Sequence, residues 1–151
     1  MQSIPIQFLW LDPESSRDLD LPVYHSELAA GMDVSAAINA PLVINQGEVK
    51  LIGTGFAVAL PPGFELQVRP RSGLAVKHSI SIINSPGTID ADYRGEVKIG
   101  LINLGHRPYT VNRGDRIAQL VLAPVFRAAI TVVDDLNKTG RQGGGFGHTG
   151  V

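Results

Sequence analysis

The sequence predicts an all-β sandwich or barrel, on three observations. Short β-prone runs recur along the chain, and turn-forming Gly, Pro, Asn and Asp interrupt them at short intervals. No amphipathic helix exceeds a few turns. At 151 residues one domain is expected, and no repeat or interdomain linker divides the chain.

Taken in order, Ile4 to Leu11 reads as a first strand, with the only Trp at position 10. Asp12 to Pro22 is acidic and ends on proline, a loop composition. Ala29 to Ala36 is a small-residue segment carrying one carboxylate, Asp33. Leu42-Val43-Ile44 is a short β-prone run, and Gln46-Gly47-Glu48 a turn. Val49 to Leu60 is β-like, but Gly53 and Gly55 inside it predict a bulge or a close backbone approach. Pro61-Pro62-Gly63 turns the chain into a strand from Phe64 to Val68. Ser72 to Lys77 is the one helical candidate, with Ser72 placed to cap it. Ser79 to Ile83 is a further short strand.

Asn84 to Asn103 then reads as a β-hairpin. Ser85-Pro86-Gly87 is turn chemistry, and Arg94-Gly95 reverses the chain. From Glu96 to Ile102 the pattern alternates, with Val97, Ile99 and Leu101 on one face and Glu96, Lys98 and Gly100 on the other. Asn112 to Asp115 is a hairpin turn before a strand from Ile117 to Val125. Ala128 to Val133 is expected to be the last strand. From Gly140 the Gly-rich composition predicts a flexible arm.

A net charge of −1 argues against a broad basic surface, so no stable nucleic acid partner is expected. The absence of cysteine excludes disulfides, a thiolate nucleophile and Cys-ligated zinc. The start, Met1-Gln2-Ser3-Ile4-Pro5, lacks the basic residues and apolar run of a signal peptide. No apolar stretch is long enough to span a bilayer, so the expectation is a cytoplasmic protein with no membrane partner. The four histidines fall in no metal-binding spacing, and neither a P-loop nor a G-x-S-x-G elbow occurs.

Chemistry concentrates in a few segments. Asp90, Asp92 and Tyr93 crowd the bend of the Asn84–Asn103 segment, where a sheet would hold them rigidly. In Arg69 to Ala75, Arg71 offers a fork for phosphate oxygens, Ser72 a hydroxyl and Gly73 an unshielded backbone N–H. Gln119 is an amide inside an apolar strand, placed either toward solvent or to satisfy a specific partner. In the tail, Arg141, Phe146 and Thr149 among glycines suit an arm that closes over a flat ring and a phosphate chain.

In this order the segments resemble the five motifs of the homotrimeric dUTPase family, over nearly the whole chain. They are Ala30 to Val34, Pro70 to Ala75, Gly87 to Glu96, Arg113 to Leu120 and Arg141 to Gly150. The resemblance implies a distorted jelly-roll β-domain over residues 1–139 and a mobile arm over 140–151 that closes an active site. It implies homotrimers whose sites are built from neighbouring chains. The implied reaction is hydrolysis of dUTP to dUMP and diphosphate with Mg²⁺. Asp90 would be the base that orients a water toward the α-phosphorus, and Asp33 would hold the magnesium through water. Arg71, Ser72, Gly73 and Gln119 would contact phosphates, with Arg141 clamping the outer ones and Thr149 close by. Asn84, with backbone groups near Thr88, Ile89 and Lys98, would read the uracil edge. Tyr93 would pack under deoxyribose and exclude a 2′-hydroxyl. Phe146 would stack over the base, beside Gly147.

Gln142 and His148 stand where many members carry Gly and Ser, and Met32 and Val34 where Leu is commoner. A dCTP deaminase, which shares the fold, uses a glutamate where this chain has Gly100. A binding module without catalysis would have no need of Asp33, Arg71, Asp90 and Arg141 together.

Overall fold

The computed structural model describes residues 3–144. Eleven strands and one helix form in them: β1 Gln7–Trp10, β2 Met32–Ser35, β3 Leu42–Ile44, β4 Val49–Gly53, β5 Phe56–Ala59, β6 Phe64–Arg69, α1 Ser72–His78, β7 Ile80–Ile82, β8 Gly87–Ile89, β9 Lys98–Asn103, β10 Tyr109–Val111 and β11 Arg116–Pro124. All paired strands are antiparallel. The largest sheet has the order β2-β11-β6-β8 and the next β4-β9-β7, with β1-β5 and β3-β10 as two-stranded ribbons. The expected all-β architecture with one short helix is therefore present.

Alternation drives burial. On β9, Ile99, Leu101 and Asn103 are buried while Lys98 is exposed, and on β2 Met32 and Val34 are buried. These side chains join Ile44, Ile52, Phe56, Leu66, Ile117 and Leu120 in a single core. Each fully buried Leu, Ile or Phe contributes about 1.5–3 kcal/mol by leaving water. Phe8 and Trp10 pack edge-on against Phe56, at centroid distances of 5.3 and 5.9 Å, which seats β1.

Among the described residues no two consecutive strands pair with each other. This corrects the expected hairpin over Asn84–Asn103. β8 joins β6, whereas β9 lies between β4 and β7, so the chain from Asp90 to Val97 passes from one sheet to another. The alternation on β9 predicts the faces but not the partner. The Asn112–Asp115 turn forms, with Gly114 at φ 80° and the Asp115 carboxylate accepting from the Asn112 N–H at 2.7 Å. It is not a hairpin turn either, because β10 pairs with β3 and β11 with β2 and β6.

Three further expectations are corrected. The run Val49–Leu60 is two strands in different sheets, broken at Thr54-Gly55, where Gly55 has φ 74°, although the close approach expected at its glycines is present, the Gly53 and Gly55 carbonyls accepting from Ala37 and Leu11 at 2.9 Å each. Ser72 does not cap α1: Arg71 is the N-cap, with no side-chain bond, and the helix ends on Ser79 in the left-handed region. Ala128–Val133 is not a strand. Beyond Pro124 the described chain pairs with no strand, and Phe126, Ile130 and Val132 are 91%, 88% and 94% exposed.

Candidate active site

Two polar clusters form on the β framework. The first is built on the β2-β11-β6 row, where Asp33 faces Gln119, which faces Arg69. Neighbouring residues Met32, Val34 and Leu120 go to the core, so Asp33 and Gln119 point outward. Asp33, whose side chain is only 15% exposed, accepts from Arg71 Nε at 3.2 Å and from Arg116 at 3.1 Å. A second Arg71 nitrogen lies 3.1 Å from its other oxygen, and His25 Nε2 lies at 3.5 Å. Arg71 also donates to the Arg116 carbonyl at 3.0 Å. Two guanidinium groups against one carboxylate leave a net cationic surface, suited to a polyanion.

Gln119 donates to the Pro70 carbonyl at 3.0 Å, tying β11 to the turn that carries Arg71, Ser72 and Gly73. A Cβ on Gly31 would fall on the Gln119 Oε1, which explains why a glycine precedes Met32 there. Ser72 and Gly73 open α1, both exposed.

The second cluster lines a cleft of about 270 Å³ between β8 and β9, formed by Leu51, Thr88, Ile89, Asp90, Tyr93, Glu96, Val97 and Lys98. Thr88 and Asp90 are exposed while Gly87 and Ile89 are buried, so the strand sends its polar side chains outward. Asp90 leaves the end of β8, where its carbonyl accepts the Tyr93 N–H at 3.1 Å and turns the chain. Tyr93 folds back so that its hydroxyl donates to the Glu96 carbonyl at 2.9 Å. A Cβ on Gly95 would fall on that hydroxyl, so only glycine fits. Lys98 pairs with Glu96 at 3.4 Å.

The structure thus brings together Thr88, Ile89, Asp90, Tyr93 and Lys98, and separately Asp33, Arg71 and Gln119. In strand spacings, Asp33 and Ile89 lie three strands and three residues apart, roughly 17 Å. Asn84 sits beside Gly87 at the far end of β8 and does not line the 270 Å³ cleft. Arg141 bonds within its own turn, donating to the Gly144 carbonyl at 2.6 Å. Phe146, Gly147 and Thr149 lie outside the described residues. Sequence reasoning missed Arg116 and Glu96, although both stand inside quoted motifs. Each reads as a solvated strand charge, and only the fold brings Arg116 to Asp33 and Glu96 to the Gly55 N–H.

The family model for dUTPase matches residues 17–150. A deoxyuridine 5′-triphosphate nucleotidohydrolase of Desulfotalea psychrophila is 60% identical over 146 residues, 97% of each chain. One of Caldanaerobacter subterraneus subsp. tengcongensis is 54% identical, over 91% of this chain and 93% of that one. Among solved structures, the dUTPase of Staphylococcus bacteriophage 80alpha with dUPNHPP superposes with a TM-score of 0.84 at 25% identity, over 97% of this chain and 99% of that one. A mutant dUTPase from phage phi11 of S. aureus, described with a structural Mg(II) ion, superposes at 0.76 and 24% identity, over 89% and 99%. With a family match over most of its length and relatives this similar end to end, the chain belongs to the dUTPase family.

Proposed function

We propose that this member of the family hydrolyses dUTP to dUMP and diphosphate, as a dUTP diphosphatase, with Asp90 as the general base. The observation that carries the assignment is the cleft joining Asp90 to Thr88, Ile89, Tyr93 and Lys98. Asp90, exposed at the rim and fixed by the turn to Tyr93, is placed to take a proton from water as the oxygen attacks the α-phosphorus and diphosphate departs. Tyr93, locked by its hydroxyl, presents its ring as a floor for deoxyribose, with no space for a 2′-hydroxyl. Backbone groups near Thr88, Ile89 and Lys98 read uracil from within the cleft, and Asn84, beside Gly87 and outside it, reaches the base from the other end of β8. Cytosine would set a donor against a donor and leave buried groups unpaired.

Arg71, Ser72, Gly73 and Gln119 receive the phosphates, joined by Arg116. Among the described residues no three or more His, Asp or Glu side chains gather to hold a metal. Asp33 is a lone carboxylate already engaged by arginines. Asp33 would hold a Mg²⁺ through the water shell that this ion gives up reluctantly. When bound, the ion neutralises phosphate charge. Arg141, with Phe146, Gly147 and Thr149 beyond the described residues, completes the site as a closing arm.

The separation of the two clusters favours a site completed by a second copy, and the trimer is the assembly that the family resemblance implies for it. The exposed apolar run after Pro124 is consistent with burial between copies. The cellular role that follows is cytoplasmic removal of dUTP, limiting uracil in DNA and supplying dUMP for thymidylate synthesis.

The test is Asp90→Asn. It should bind a non-hydrolysable dUTP analogue with near-wild-type affinity, while diphosphate release falls by about a hundred- to ten-thousand-fold. Full-speed hydrolysis by the variant would overturn the assignment, and ammonia release from dCTP by the wild type would make the protein a deaminase.

A further inference from the structure

Glu96 stands in the cleft without a role in the chemistry, yet its contacts converge on everything that shapes it. Its Oε1 accepts the Gly55 N–H at 3.1 Å, and its Oε2 faces the Lys98 ammonium at 3.4 Å. Its own carbonyl accepts the Tyr93 hydroxyl at 2.9 Å. A Cβ on Gly53 would stand 2.6 Å from Oε1, so the end of β4 is bare where the carboxylate lies. The next residue is fixed as well. The Val97 carbonyl accepts from Thr54 Oγ1 at 2.6 Å and from the Thr54 N–H at 3.3 Å, and the Val97 N–H donates to the Phe56 carbonyl at 2.9 Å. Glu96-Val97 is thus sewn to the break between β4 and β5, and Tyr93 is sewn to Glu96.

We infer that Glu96 is a positioning residue for sugar discrimination, its carboxylate anchoring on Gly55 the backbone that holds the Tyr93 ring. The inference rests on the dUTP reading. A carboxylate accepting from a partly buried backbone N–H is among the stronger hydrogen bonds, because the acceptor is charged. Without it, the peptide that carries the Glu96 carbonyl is held only from the Val97 side, by the N–H bond to Phe56, and the point to which the Tyr93 hydroxyl is tied loosens toward the cleft. The ring then no longer closes the space beside C2′, and UTP gains entry. Gly53 belongs to the same device, since a methyl group there displaces the carboxylate while leaving its charge in the chain.

The experiment compares kcat/KM for dUTP and UTP in four proteins: wild type, Glu96→Ala, Glu96→Gln and Gly53→Ala. Glu96→Ala and Gly53→Ala should lower the dUTP-over-UTP ratio by about tenfold or more, chiefly through a lower KM for UTP, with smaller changes in kcat and in KM for dUTP. Glu96→Gln keeps a neutral acceptor for Gly55 and should recover the ratio to within about threefold of wild type. A merely structural role would lower the thermal midpoint and the rates on both nucleotides together, leaving the ratio unmoved. A folded Glu96→Ala with a wild-type ratio, or a Glu96→Gln as relaxed as the alanine variant, overturns the inference. If Glu96→Ala does not fold, the ratio in Gly53→Ala decides. A wild type that leaves dUTP intact would instead sink the proposed function.

Discussion

Asp33 shows how a single side chain can be both constrained and useful. An unpaired carboxylate this sheltered would be costly, and Arg71 and Arg116 remove that cost while orienting themselves against it. In the proposed function the same arrangement turns both guanidinium groups toward phosphate oxygens. Gln119 is placed as closely, between Gly31 and the Pro70 carbonyl. Gly31→Ala should therefore push the amide aside at a stability cost of only about 1 kcal/mol, because the end of a flexible side chain gives way. KM for dUTP should rise about tenfold while kcat changes little, which steady-state kinetics beside a thermal melt would establish. The sequence shows Gln119 to be an amide in an apolar strand and leaves open whether it faces solvent. The cross-strand neighbour that settles the question is 86 positions away, at Asp33.

At the scale of elements, the acidic segment before β2 is not the free loop its composition suggests. Arg113 donates to Asp18 through two nitrogens, each at 2.7 Å, and to the carbonyls of Ile38 and Ser15. The hydrogen bond from that guanidinium holds the Asp18 carboxyl below its ordinary value of 3.8. A lowered folded pKa means the clasp contributes fully above the ordinary value and is lost as pH falls through the folded one. Segment 12–22 should thus loosen on acidification below about pH 4. Limited proteolysis should detect this, and Arg113→Ala should abolish the acid dependence by opening the segment already at neutral pH. The proposed closing arm has its own test. Removing residues after Gly140 should preserve the oligomer in ultracentrifugation yet cut kcat/KM on the order of a hundredfold. Nearly every β-prone run read from the sequence becomes a strand, because alternation and turn residues act locally. Ala128–Val133 does not, because β-propensity supplies the residues of a strand but not the edge it pairs with. The Asn84–Asn103 segment has the right faces and the wrong partner for the same reason.

For the whole molecule, the key relation is between two clusters that one chain keeps apart. If Asp90 of one copy works with Arg71 of another, then Asp90→Asn and Arg71→Ala, each nearly inactive, should regain partial activity when unfolded together and refolded as mixed oligomers. Separately refolded and then combined, they should not. No recovery in the co-refolded sample would place the complete site within one chain. The motifs in the sequence carry the membership of both clusters, but not the roughly 17 Å between them, which strand order and register together create. That order also bears on how the protein is made. Synthesis delivers residues from the N-terminus at about 5–20 per second, yet β2 finds its neighbour only when β11 has emerged, and β1 waits for β5. A growing chain on the ribosome therefore carries sticky, half-finished sheets until nearly its last codons.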